Sequence, residues 1–176
     1  MTLYYVGSAA DDYYTNSVSG TQTGTTTLNV SYNSVINPAF YEQSYGKVDT
    51  SGIPDTDVIS AATFYFTANT YNATTRVTKI YSAQIWTGSS YVFLTNATNK
   101  TWAAGTQTIV LTATEQGYIN KTGTTNFRII TSDPGSKKYR QMLVNAYETS
   151  QATAMRLDVT HAAPAVSYTH AMVITS

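Results

Sequence analysis

The sequence predicts an all-β fold: an antiparallel β-sandwich of jelly-roll type with one short helix near residues 112–120. Three observations carry that prediction. On the order of ten short stretches have strand character, and turn-forming residues separate them at frequent intervals. Polarity rests on Thr, Ser, Asn and Tyr, with 15 Tyr in the chain, and Thr and Tyr suit a pleated, half-buried surface better than a helix. Only one segment, residues 112–120, reads as a plausible helix, and it is short.

The elements follow in order. Leu3-Tyr4-Tyr5-Val6 is the first strand, and residues 11–14 are a second. Residues 25–32 alternate around Leu28, Val30 and Tyr32, as a half-buried strand does. Residues 40–48 alternate less cleanly. Gly52-Ile53-Pro54-Asp55 is turn chemistry, because Pro presets φ and removes a donor. Asp49, just before Thr50-Ser51-Gly52, is placed to accept turn amides as an Asx turn does. Residues 58–71 are the longest β-like run, with Phe64-Tyr65-Phe66 inside it. Residues 76–86 alternate up to Trp86. Thr87-Gly88-Ser89-Ser90 then turns the chain into Tyr91-Val92-Phe93-Leu94, which predicts a hairpin. In residues 107–113, Ile109 and Leu111 share one face and Val110 the other. Thr112 with Glu115 three residues later reads as a capping box, and Gly123 is expected to end the helix with positive φ. Residues 126–131, 140–146 and 154–160 supply three more strands. At 176 residues, one domain is expected: a sandwich over 1–161 and a C-terminal extension over 162–176, as an extra strand or an arm.

Composition excludes several function classes. Charged residues make up 11% of the chain and the net charge is zero. Lys and Arg are scattered singly apart from Lys137-Lys138, so no basic patch is available and no nucleic-acid partner is expected. There is no Cys, hence no disulfide, thiolate nucleophile or Cys-ligated metal. No apolar run approaches the roughly 18 residues of a membrane span. The stretch Met-Thr-Leu-Tyr-Tyr-Val-Gly lacks the basic and apolar regions of a secretory signal. Two expectations follow: a virion component released by lysis, or a module of a longer secreted protein.

Three stretches, in register and covering roughly residues 40–161, carry a family resemblance. They are Tyr45-Gly46-Lys47-Val48-Asp49-Thr50-Ser51-Gly52-Ile53-Pro54 with Val58-Ile59-Ser60-Ala61-Ala62-Thr63-Phe64-Tyr65-Phe66; Gly117-Tyr118-Ile119-Asn120-Lys121-Thr122-Gly123-Thr124-Thr125-Asn126-Phe127-Arg128; and Tyr147-Glu148-Thr149-Ser150 with Met155-Arg156-Leu157-Asp158-Val159-Thr160-His161. Together they resemble the DNRLRE-type (disaggregatase-related) jelly-roll modules. The chain departs from that pattern at Val48, Ala154 and His161, where the family has Phe, Pro and Tyr. The resemblance implies a sandwich used as an adhesion, carbohydrate-binding or scaffold module.

No catalytic residues are expected. Glu42, Glu115 and Glu148 are the only Glu, Glu115 is explained by capping, and a Gly-x-Ser-x-Gly elbow is absent. His161 and His170 lie nine apart on different β segments, which gives no metal-ligand pattern, so no metal site is expected. No cofactor is expected either; the one ion whose ligands the loops offer is calcium, through Asp11-Asp12, Asp55, Asp57 and Asp133. Carbohydrate stacking points to Trp86, Tyr91 and Trp102, which lie near predicted turns, with Tyr13, Tyr14, Tyr41, Tyr71 and Tyr139 as further rings. Trp86 also reads as a core residue ending an alternating strand.

The first expected function is a non-enzymatic structural protein of a bacteriophage virion, as a capsid decoration or cement protein or a fibre or tail head. Its partners would be a major capsid protein and further copies of itself, in a homo-oligomer. Residues 162–176, with Tyr168, Val173 and Ile174, would form an assembly arm pairing with a neighbour's strand edge. The alternative is a carbohydrate-binding or adhesion module of a microbial surface protein or secreted enzyme, acting on surface glycans outside the cell.

Overall fold

The computed structural model describes residues 1–33, 40–69, 80–131 and 139–165. Tyr71, Asp133, Lys137, Lys138, His170 and the arm residues Tyr168, Val173 and Ile174 lie outside the described residues, as does the side chain of Tyr139. Thirteen strands are found among the described residues: β1 (Thr2–Tyr5), β2 (Asp12–Asn16), β3 (Gly20–Thr23), β4 (Thr27–Asn33), β5 (Phe40–Asp49), β6 (Val58–Asn69), β7 (Ile80–Trp86), β8 (Tyr91–Phe93), β9 (Lys100–Thr101), β10 (Gly105–Val110), β11 (Thr124–Ile130), β12 (Tyr139–Asn145) and β13 (Arg156–Ala162). One α-helical turn, α1 (Ala113–Gln116), lies between β10 and β11. No helix among the described residues is long and apolar enough to cross a membrane.

All strand pairs are antiparallel and one hydrogen-bonded path links them, in the order β1-β13-β6-β12-β4-β5-β11-β7-β8. β10 lies on the other edge of β6, β2 pairs β5 and β3, and β9 pairs β7. The path folds into two packed layers. One is β1-β13-β6-β10; the other is β4 and β2 on β5, then β11, β7 and β8. β12 pairs with both β6 and β4 and so joins them. Phe64 of β6 stacks on Phe127 of β11 at 4.0 Å between centroids, and Phe66 meets Tyr81 edge-on at 5.2 Å, which places the core between the layers. The all-β sandwich expected from the sequence is the fold observed.

Strand alternation builds that core. Ala62, Phe64, Phe66 and Ala68 point inward from β6, and Thr125, Phe127 and Ile129 from β11. Leu28, Val30, Val48, Ile85, Ile109, Val144, Leu157 and Val159 complete the two inner faces. Val110 is 58% exposed beside buried Ile109 and Leu111, as its alternation requires.

Local chemistry sets the connections. The amide of Ser51 donates to Asp49 Oδ1 at 3.0 Å, the anticipated Asx turn. The hairpin of β7 and β8 pairs Trp86 with Tyr91 and turns at Gly88, whose φ of 94° excludes most side chains. Thr112 caps α1, and Glu115 reaches back to the Thr112 amide at 2.7 Å, completing the capping box. The helix end differs from expectation. Gly117 closes α1 with φ of −64°, and Gly123 is not among the glycines of positive φ. The reason is that Gly123 lies in the turn entering β11, where its carbonyl accepts the Thr50 amide at 2.9 Å.

Candidate functional site

The second layer presents its outward residues as one lateral row. Register places Tyr13 beside Tyr45, Tyr45 beside Arg128, Arg128 beside Gln84, and Gln84 beside Phe93. Trp86 and Tyr91 form the neighbouring pair at the hairpin end. The rings are in contact. Tyr13 and Tyr45 stack in parallel at 4.8 Å, Tyr45 meets Tyr91 edge-on at 5.9 Å, and Tyr91 lies 5.1 Å from Trp86. The Arg128 guanidinium sits 4.5 Å over the Tyr91 ring, and its Nε donates to Gln84 Oε1 at 2.6 Å. Burial, then the neighbouring Tyr13 and Tyr45, push the Tyr91 phenol up to about 12 against the opposing pull of Arg128. The Tyr91 phenol is therefore neutral at physiological pH, and the ladder braces Trp86 from behind.

Beyond Trp86 the surface opens into a groove of about 390 Å³, within the range of roughly 300–1,000 Å³ typical of small-ligand pockets. One wall is the β7–β8 hairpin, with Trp86 and Thr87. The other is the segment from α1 into β11, with Tyr118, Asn120, Thr124 and Asn126. None of its lining residues is Asp, Glu, Lys, Arg or His. Asn126 is on the outward face of β11, opposite Lys47 of β5. Its Oδ1 accepts the Thr124 hydroxyl at 3.3 Å, and its Nδ2 donates no hydrogen bond among the described residues. Asn120 Oδ1 is engaged by the Thr122 amide and hydroxyl at 3.1 and 2.9 Å, which fixes the side chain at the rim.

Glu115 holds the second wall in place. Its carboxylate is 4% exposed and accepts the Thr95 amide at 2.6 Å as well as that of Thr112, tying α1 to the segment after β8. Burial raises its pKa, but the hydrogen bonds from Thr95 and Thr112 outweigh burial and hold the carboxyl below its ordinary value.

The structure separates the three rings expected to bind sugar. Trp86 and Tyr91 come together as a pair, both half-buried. Trp102 is a correction: it is 4% exposed and belongs to the core, so its ring has no open face for a ligand. The cause is β9, whose pairing with Ile80 and Tyr81 holds the chain against the sandwich just before residue 102. Tyr118, Asn120, Asn126 and Arg128 were not singled out as site residues. The outward parity of Asn126 and Arg128 on β11 was the available signal, and the α1 turn that carries Tyr118 and Asn120 onto the same rim left none.

Other polar clusters serve the fold. His161 Nδ1 lies 2.7 Å from Asp57 Oδ2 and its Nε2 lies 3.2 Å from the Tyr4 hydroxyl, which ties β13, the start of β6 and β1 together. Glu42 is buried on the inner face of β5 and accepts from Asn16, Asn29 and Ser31 at 2.8–3.2 Å. No group of three or more His, Asp or Glu side chains able to share a metal ion occurs among the described residues.

A scan of protein-family models matches no family to this chain, and no curated protein sequence is similar to it.

Proposed function

We propose that this chain is a non-catalytic binding module that takes a neutral carbohydrate in the Trp86 groove. One observation carries the reading. A half-buried indole, braced by the tyrosine ladder, lines an uncharged groove together with amide and hydroxyl side chains. Sugars present apolar C–H faces and a rim of hydroxyls. An aromatic ring covers the first, and Asn and Thr pair with the second. A charged ligand would leave its counter-charge unpaired there. The resemblance to DNRLRE-type modules supports the same reading.

Of the two expectations drawn from the sequence, this is the adhesion module. The virion reading rests on the low charge, the absence of Cys and the expected assembly arm over 162–176, of which residues 166–176 lie outside the described residues. Adhesion to surface glycans is shared by both, so a fibre or tail-head setting remains the second proposal for the same groove.

The test is retention on immobilised neutral polysaccharides, compared with acidic ones and with an uncoated matrix. Retention on one or more neutral glycans, released by the soluble sugar, is the expected result. Retention on acidic polymers alone, abolished by salt, overturns the proposal.

A further inference from the structure

At the opposite edge of β5 from β11, the inner face of β2 carries Asp12, which is 1% exposed. Its Oδ2 accepts the Tyr147 amide at 2.5 Å, while its Oδ1 is closed to solvent and has no hydrogen-bond partner among the described residues. The residue after Tyr147 is Glu148, and both of its carboxylate oxygens are likewise closed to solvent and without a hydrogen-bond partner among the described residues. Gly24, at φ of 67°, lies against Glu148: a Cβ built there would stand 3.9 Å from Glu148 Oε1. Asp11 is engaged elsewhere, its Oδ2 accepting the Ser8 hydroxyl at 2.7 Å.

Three carboxylate oxygens from two side chains are thus withdrawn from the surface without a hydrogen-bond donor among the described residues. No Lys or Arg among the described residues forms an ion pair with either group. Buried carboxylates are normally paired, hydrogen-bonded or metal-bound, because desolvating an uncompensated charge is strongly unfavourable. Glu42 in the same sheet shows the hydrogen-bonded solution, with three donors on its two oxygens. Asp12 uses it on one oxygen only, and Glu148 on neither among the described residues.

We infer that Asp12 and Glu148 hold a divalent cation of the calcium class between β2 and the turn that precedes β13. The donor set is all hard oxygen, with no imidazole or thiolate, which selects calcium over transition metals. Calcium takes six to eight oxygens, so water and main-chain carbonyls complete the shell around these side chains. A site with two carboxylates belongs with the weak calcium sites of extracellular modules, at dissociation constants of about 10⁻⁴–10⁻³ M. Its effect is to fasten the β2–β3 hairpin to the segment leading into β13.

The experiment uses the whole chain, stripped with EDTA and dialysed, and follows its melting temperature against added calcium chloride at neutral pH. At 10 mM calcium the expected rise is roughly 3–10 °C. Sodium chloride at matched ionic strength should not reproduce it, and Glu148→Gln should abolish it. Asp12→Asn should do the same; if that variant fails to fold, Glu148→Gln alone decides. No rise in the native chain, an equal rise with sodium chloride, or an undiminished rise in Glu148→Gln overturns the site.

Discussion

Glu115→Gln tests how the groove wall is held. The carboxylate accepts two main-chain amides, Thr95 at 2.6 Å and Thr112 at 2.7 Å, in a place that is 4% exposed. Glutamine keeps one carbonyl acceptor and turns its amide nitrogen toward the other N–H, leaving a buried donor without a partner. A hydrogen bond to a charged group is worth about 1.5–3 kcal/mol and an unsatisfied buried donor costs about 1–3 kcal/mol, so the variant should lose roughly 2–4 kcal/mol at neutral pH. For a chain of this size that is a fall of about 5–15 °C in melting temperature. The pH dependence has a definite sign. The folded carboxyl titrates below its ordinary value of 4.5, so its stabilisation is fully present above pH 4.5 and is lost as pH falls through the lower folded value. Urea denaturation of both proteins from neutral pH into acid should show the gap between them closing as the carboxylate takes up its proton. A neutral-pH gap below about 1 kcal/mol, or one that stays constant into acid, would refute this role for Glu115.

Two further predictions concern packing. Gly46 sits on the inner face of β5, where a Cβ would stand 2.6 Å from Met155 Sδ and 3.1 Å from Met155 Cβ. Gly46→Ala should cost about 1–3 kcal/mol through overpacking. In a double-mutant cycle by urea denaturation, combination with Met155→Ala should recover at least about 1 kcal/mol relative to additivity; strictly additive costs would mean that Met155 yields freely. Trp102→Ala should cost about 3–5 kcal/mol, as removal of a buried Trp does. Trp86→Ala, at a half-buried position, should cost clearly less in the same assay, and equal costs would place both indoles in the core.

Much of the fold was legible because strand parity is a local property. The alternation through Ile109, Val110 and Leu111 gave the inward and outward faces of β10, and Thr112 with Glu115 gave the start of α1. The hairpin at Thr87-Gly88-Ser89-Ser90 followed from turn chemistry. β3 was missed, since Gly20-Thr21-Gln22-Thr23 has no apolar residue to mark a face. Gly123 was misread because a helix stop and a strand-entry turn use the same residue type. The groove was only half legible. Trp86 and Tyr91 were visible as a hairpin pair, but Trp102, also close to a predicted turn, faces the core through the non-local pairing of β9 with β7. Tyr118 and Asn120 reach the rim through the packing of α1, and Tyr13 and Tyr45 meet only through the register of β2 on β5. Long-range pairings of this kind leave no local signal.

The chain has two Trp, so an amide-correlated NMR spectrum of the uniformly ¹⁵N-labelled protein contains two indole signals, one from the groove and one from the core. Assigned with Trp86→Phe and followed during titration with a neutral oligosaccharide retained in the polysaccharide assay, these signals report directly on the groove. Binding at the groove requires the Trp86 indole to shift with saturation while that of Trp102 stays fixed. Saturable binding that leaves the Trp86 signal unmoved, or that shifts Trp102 instead, would contradict the assignment of the groove as the carbohydrate site.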